Sequence, residues 1–147
     1  MIEPGIGTET FKLGTHFDDV DLSTFEITEV EDRDILKVYK TKNIWFFFNS
    51  SDNTLDQLSL FSPFEEKVLG KVGLGDCLSD VYDTFGECCI NNKVHEPLKY
   101  NGIAFEIEGS SKNAKISCIS VSVPFQFYGE LPKHIKANSP GKKRKLP

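Results

Sequence analysis

Two stretches of this chain, 61 residues apart, read almost as copies of one another. Leu13-Gly14-Thr15-His16-Phe17-Asp18-Asp19-Val20 is matched by Leu74-Gly75-Asp76-Cys77-Leu78-Ser79-Asp80-Val81 in the leading Leu-Gly, the apolar residue four places on and the closing Asp-Val. The correspondence continues downstream. Ile44-Trp45-Phe46-Phe47-Phe48 matches Ile103-Ala104-Phe105-Glu106-Ile107 at an offset of 59, and Leu55, Leu58, Ser59 and Leu60 match Ile116, Ile119, Ser120 and Val121, again at 61. Three colinear blocks point to an internal duplication, with units over about residues 6–61 and 67–123. A unit of ~60 residues buries too little of its own surface to stand alone, so the two are expected to share one core.

The local chemistry of the repeated unit predicts a strand-to-helix turn. Gly14 and Gly75 can take the positive φ that such a turn requires. Thr15 or Asp76 follows as an N-cap oxygen. Phe17 and Val20, or Leu78, Val81 and Tyr82, then form an apolar stripe on a short helix. Gly86 supplies a C-terminal cap to the second helix. Thr24-Phe25 stand at the equivalent place in the first, whose helix should end less cleanly.

After each helix the pattern turns to strands. In the first unit these are expected at residues 25–30, 35–39, 44–48 and 55–61, with turns at Glu31–Asp34, Lys40–Asn43 and Asn49–Asn53. Five consecutive apolar residues at Ile44–Phe48 imply a strand covered on both faces, or one whose second face meets a partner. Ser62-Pro63-Phe64 breaks the pattern. In the second unit Cys88–Glu96 reads as a loop, Leu98–Tyr100 as a short strand and Asn101-Gly102 as a hairpin turn. Strands follow at residues 103–108 and 116–123, and Phe125–Tyr128 extends the last one beyond Pro124. The expected fold class is α+β: two units of short helix plus antiparallel meander, helices on one face of a shared sheet. The expected organisation is one domain over residues 1–132 and a basic tail over 133–147.

Charge divides along the same boundary. The formal net charge of −5 conceals six Lys/Arg and no acid within residues 133–147, which leaves 11 basic against 22 acidic residues in the body. Such a body attracts a cationic partner and repels nucleic acid. The tail stretch Lys142-Lys143-Arg144-Lys145 has the look of an import or nucleic-acid signal, but its Pro-Gly and Leu-Pro flanks read as a flexible terminus. Met1–Gly5 has neither a basic start nor an apolar run, and the longest apolar stretch is far too short for a membrane span, so a cytoplasmic protein is expected. Cys77, Cys88, Cys89 and Cys118 are then expected as reduced thiols. They lack C-x-x-C spacing, and no metal or other cofactor is expected.

Catalytic signatures are sparse. Of the three histidines, His16, His95 and His134, none stands in an orienting motif; Cys88 or Cys89 with His95 is the one conceivable thiol–imidazole pair. Gly70–Gly75 lacks the Gly-Lys-Ser/Thr that closes a phosphate loop. The densest polar feature is acidic: Asp18, Asp19, Asp21, Glu26, Glu29, Glu31, Asp32 and Asp34 place eight carboxylates within 17 residues, beside one Arg. These eight are the candidate partner-binding residues, because a surface of one sign raises the on-rate of a partner of the other and orients it. A calcium loop of the D-x-D-x-D-G kind is absent.

The run Leu74-Gly75-x-x-Leu78-x-x-Val81-x-x-x-Phe85-Gly86 resembles the helix turn of the β-lactamase-inhibitor-protein-like repeat, a pattern shared by the small lipoprotein of the outer-membrane β-barrel assembly machinery. With the meanders, the resemblance covers roughly residues 6–123. It implies helix-plus-meander units stacked into a concave sheet that works by binding proteins. By type, a small, acidic, cytoplasmic chain without a catalytic set resembles a bacterial toxin-immunity protein. The expectation is a non-enzymatic domain that forms a 1:1 complex with a basic toxin, such as a nuclease delivered by contact-dependent growth inhibition, and is a monomer otherwise. Neither membrane nor nucleic-acid binding by the body is expected. Two alternatives stand beside it: an assembly factor that dimerises through Ile44–Phe48 as a sheet edge, and a hydrolase using Cys88 or Cys89 with His95.

Overall fold

The computed structural model describes residues 1–124. The expected extension at Phe125–Tyr128 and the basic tail at 133–147 lie outside the described residues. Eight antiparallel strands form one sheet: β1 (Glu29–Arg33), β2 (Leu36–Lys40), β3 (Ile44–Asn49), β4 (Leu55–Phe61), β5 (Cys88–Asn91), β6 (Val94–Pro97), β7 (Ile103–Glu108) and β8 (Lys115–Ser122). Their order across the sheet is β1-β2-β3-β4-β8-β7-β6-β5. Two sequential meanders therefore meet at a central β4–β8 seam, and β1 and β5 are the edges. One α-helix, α1 (Leu78–Phe85), completes an α+β arrangement in which strand dominates.

β4 and β7 occupy the residues their apolar alternation predicts, and β8 is displaced by one. Three expectations need correction. The first strand lies at Glu29–Arg33 and not at 25–30, because the reversal uses only Asp34-Ile35, with Asp34 at φ 56°. Asp tolerates this left-handed conformation, and a two-residue turn fits the twist of the hairpin. Cys88–Glu96 is a hairpin in place of a loop; Asn92 at φ 61° opens its turn between β5 and β6. Leu98–Tyr100, expected as a strand, lies in the turn between β6 and β7.

The first predicted helix is also absent as such. Phe17–Asp19 makes a single 3-10 turn capped by His16, whose Nδ1 accepts from the Asp18 amide. The chain then leaves helical geometry, and Asp21 Oδ1 accepts from both the Ser23 amide and the Ser23 hydroxyl. Asp and Ser close local loops of this kind in competition with the helix. In the second unit Cys77, and not Asp76, is the N-cap residue. Its amide donates to Asp80 Oδ2 (2.9 Å), while Asp76 Oδ2 accepts from the Gly73 amide (2.8 Å). Gly86 closes α1 at φ 85°, and its amide donates to the Tyr82 carbonyl.

Both turns are tied to the sheet by the same kind of backbone contact. Gly14 donates to the Leu55 carbonyl, Leu55 to that of Thr15, and Phe17 to that of Asn53. Gly75 donates to the Ile116 carbonyl, Ile116 to that of Asp76, and Leu78 to that of Ala114.

The core lies between one face of the sheet and the segments that cover it. Phe46, Phe48, Leu58, Leu60, Phe105, Ile119 and Val121 point into it from the strands; Leu78, Val81 and Phe85 do so from α1, and Ile2, Val68 and Val72 from the connecting segments. Ring geometry fixes how these fit. Phe11 meets Phe46 edge-on and Phe17 meets Phe48 edge-on, each with centroids 5.0 Å apart, while Phe85 stacks on Phe105 at 5.7 Å. Such pairs add a further ~0.5–1.5 kcal/mol each to plain area burial. No described helix is long and apolar enough to cross a membrane.

Candidate functional site

Side chains alternate across a strand, so every inward residue of the sheet has an outward neighbour. The outward face, opposite α1, is not simply polar. Val38, Phe47 and Cys118 are buried there, although none belongs to the main core cluster. Between β1 and β7 this face forms a groove of about 420 Å3, and every residue that lines it lies on a strand. Trp45, Phe47 and Phe61 give it aromatic surface; Gln57, Ser59 and Ser120 give it hydrogen-bonding groups; Arg33 and Glu106 bring charge from opposite sides. Trp45 and Phe61 tilt against each other with centroids 5.1 Å apart.

A network of fixed charges borders the aromatic side. Arg33 makes a two-pronged contact with Glu31, Nε to Oε1 at 3.0 Å and Nη2 to Oε2 at 3.2 Å. Lys40 Nζ lies 2.7 Å from Glu31 Oε2 and 3.4 Å from Glu29 Oε1. The hydrogen bond from Arg33, then that from Lys40, holds the Glu31 carboxyl down at about 2. Lys40 is raised, chiefly by the same bond to Glu31. The two cations also rest on rings: Lys40 Nζ is 4.3 Å from the Trp45 centroid, and the Arg33 guanidinium is 5.9 Å from Trp45 and 5.6 Å from Phe47. Glu106, across the groove, has no cation within salt-bridge distance among the described residues.

The eight predicted carboxylates occupy more than one surface. Glu29 and Glu31 share the outward face of β1 with Arg33, and both engage Lys40. Asp32, one residue on, points to the other face, and Asp34 sits in the hairpin turn. Asp18 and Asp19 belong to the 3-10 turn, whose Phe17 packs on Tyr39 and Phe48 on the core side. Asp19 and Asp21 line a separate cavity of about 500 Å3 with Phe11, Phe25 and Phe64, and Glu26 is exposed in the loop before β1. Trp45, Phe61, Arg33 and Glu106 are not in the predicted set. The sequence signal for Trp45 is the unbroken apolar run Ile44–Phe48, whose odd positions had to face something; Phe61, Arg33 and Glu106 carry no such signal. β3 pairs on both sides, with β2 and β4, so that run is not a sheet edge.

Of the thiol–imidazole candidates, Cys88 and His95 sit on the core side of β5 and β6, whereas Cys89, one residue on, points to the opposite face. His95 is 6% exposed, and its Nδ1 lies 2.9 Å from the Tyr82 hydroxyl of α1. Burial depresses the imidazole below its ordinary 6.5. Burial also pushes the Cys88 thiol up to about 11, with its Sγ 3.8 Å from the Gly86 carbonyl oxygen. Cys118, on the outward face, is likewise raised by burial to about 11. A thiol so placed is protonated at neutral pH, the reverse of what an activated nucleophile requires. Among the described residues no three His, Cys, Asp or Glu side chains are grouped to hold a metal ion.

No family model matches the chain, and no curated protein matches it. Among solved structures it is similar to a cysteine-rich secretory protein (SAV1118) from Staphylococcus aureus subsp. aureus Mu50, with a TM-score of 0.52 and 12% identity. That likeness covers 82% of this chain and 46% of the staphylococcal one, so the chain spans about half the length of that protein. The uncharacterized protein yfeY from Escherichia coli gives a TM-score of 0.48 and 14% identity over 83% of this chain and 99% of its own. The staphylococcal likeness concerns the fold alone.

Proposed function

We propose that this chain is a non-catalytic protein-binding domain, an immunity protein that neutralises a basic bacterial toxin by covering its active site. The observation that carries this reading is the outward face of the sheet. Trp45, Phe47 and Phe61 gather there around an open groove, bordered by fixed charges, on an acidic body. Aromatic and Arg side chains in a central depression with a polar border are the composition of protein-interface hot spots. The excess of carboxylates supplies long-range attraction for a cationic partner. In this reading the complex is 1:1, the free chain is a monomer, and the partner is met in the cytoplasm.

The test is titration calorimetry against the C-terminal domain of a basic toxin encoded beside this chain. The expected result is one-to-one binding that weakens steeply with salt and abolishes the toxin's activity. Absence of binding at low ionic strength would remove the proposal.

We further infer that the two meanders descend from one duplicated unit. The ties of Gly14, Leu55 and Phe17 recur in Gly75, Ile116 and Leu78 with every donor and acceptor 61 residues on. The register shift at Phe47/Phe48 recurs at Glu106/Ile107, 59 residues on, which is the offset found for that strand in the sequence. The copies have diverged where it matters for binding: Trp45 and Phe47 correspond to Ala104 and Glu106, so the groove is aromatic on one side and acidic on the other.

A further inference from the structure

We propose that the groove on the outward face receives an arginine side chain of the partner, stacked on Trp45 and Phe61 and paired with Glu106. This deepens the protein-binding reading and rests on it. Three observations bear on the occupant. First, the charges on the aromatic side are already matched within the chain: Glu31 holds Arg33 and Lys40, and Glu29 also holds Lys40. Glu106 is thus the lining charge without a counterion among the described residues, and it is negative.

Second, the rings are already used as cation platforms. Lys40 and Arg33 both lie against Trp45 from the β1–β2 side. The attraction comes from the negative face of the π system, and a second planar guanidinium is drawn by it in the same way. Third, Gln57 and Ser120 line the groove with side-chain oxygens that can accept, tied to the buried Ser59 hydroxyl at 3.3 and 2.9 Å. A guanidinium carries five donors and no acceptor, so it can use several of these at once; an ammonium offers a point charge and no flat face to stack.

Trp45 is the sole tryptophan, so its indole N–H gives a single, unambiguous resonance. Titrating the full chain at low salt with the blocked tripeptide acetyl-Gly-Arg-Gly-amide should shift that resonance saturably. The citrulline counterpart, equal in shape but uncharged, should not. Glu106→Gln should weaken the arginine probe at least tenfold, whereas Asp83→Asn, on α1 across the sheet from the groove, should leave it unchanged. An unmoved resonance, an equal response to citrulline, or an unaltered titration in Glu106→Gln overturns the assignment. The two levels separate cleanly. A basic toxin that binds with equal affinity to the Glu106→Gln and Trp45→Ala variants sinks the groove and spares the protein-binding reading. A saturable, Glu106-dependent arginine titration without any toxin complex does the opposite.

Discussion

The hydroxyls of Ser59 and Ser120 meet across the central seam with their oxygens 2.9 Å apart, and the two residues are direct partners in the β4–β8 register. They are also 61 residues apart, the spacing of the sequence repeat. Their neighbours pair crosswise, Leu58 with Val121 and Leu60 with Ile119. Under the proposed duplication, each strand meets its own counterpart running the other way.

Ser59 is 5% exposed, so its hydroxyl depends on partners inside the protein. Gln57 Nε2 at 3.3 Å is another. Ser120→Ala should destabilise the fold by about 1 kcal/mol, measured by urea unfolding, and Ser59→Ala by a similar amount. The double variant should lose less than the sum, because neither oxygen is then left behind without a partner. Strict additivity would mean that the hydroxyl pair contributes nothing.

Removing the Phe85 ring should cost about 3–5 kcal/mol as Phe85→Ala. This ring stacks on Phe105 and meets Tyr100 edge-on, which makes it the main anchor of α1 to the sheet. The loss should show in chemical denaturation together with reduced near-ultraviolet dichroism. A loss below 1 kcal/mol would place the helix outside the cooperative fold.

His95 predicts a one-sided pH dependence. Its folded imidazole is depressed by burial, so as pH falls the unfolded chain takes up its proton first. The stability it contributes is complete above about 6.5 and drains away as pH drops through the folded value. Thermal midpoints should therefore decline from pH 7.5 to 5, and His95→Gln should flatten that decline. An unchanged slope in the variant would assign the loss to other groups.

Cysteine labelling probes the hydrolase alternative directly. Cys88 and Cys118, both pushed up to about 11, hold roughly a hundredfold less thiolate at neutral pH than an ordinary thiol at 9.0. Iodoacetamide at pH 7.5 should modify both far more slowly than it does free cysteine. Rapid, selective labelling of Cys88 would revive the nucleophile.

How much of this was legible in the residues depends on what each feature rests on. β4 and β7 follow from period-two alternation, which the buried face of a sheet enforces directly. The edge hairpins were misplaced because their residues face water on at least one side; Val30, Ile35 and Ile90 are exposed, and turn geometry at Asp34 and Asn92 sets the register. The first helix failed because Asp21 and Ser23 bond each other locally, a competition that an apolar stripe does not reveal. In the site, carboxylates were easy to count, but Glu29 and Glu31 already serve Arg33 and Lys40. The groove assembles from six strands, and only the pairing register places Trp45, Phe61 and Glu106 on one face.

One further consequence follows from the opening segment. Ile2 donates to the carbonyl of Lys67, and Gly5 to that of Gly102. Translation runs from the amino end, so Ile2 waits for Lys67 and Gly5 for Gly102, each made well after it. Each meander can zip as it emerges. The segment around Ile2 and Gly5 thus closes onto both meanders only once the second of them has been made.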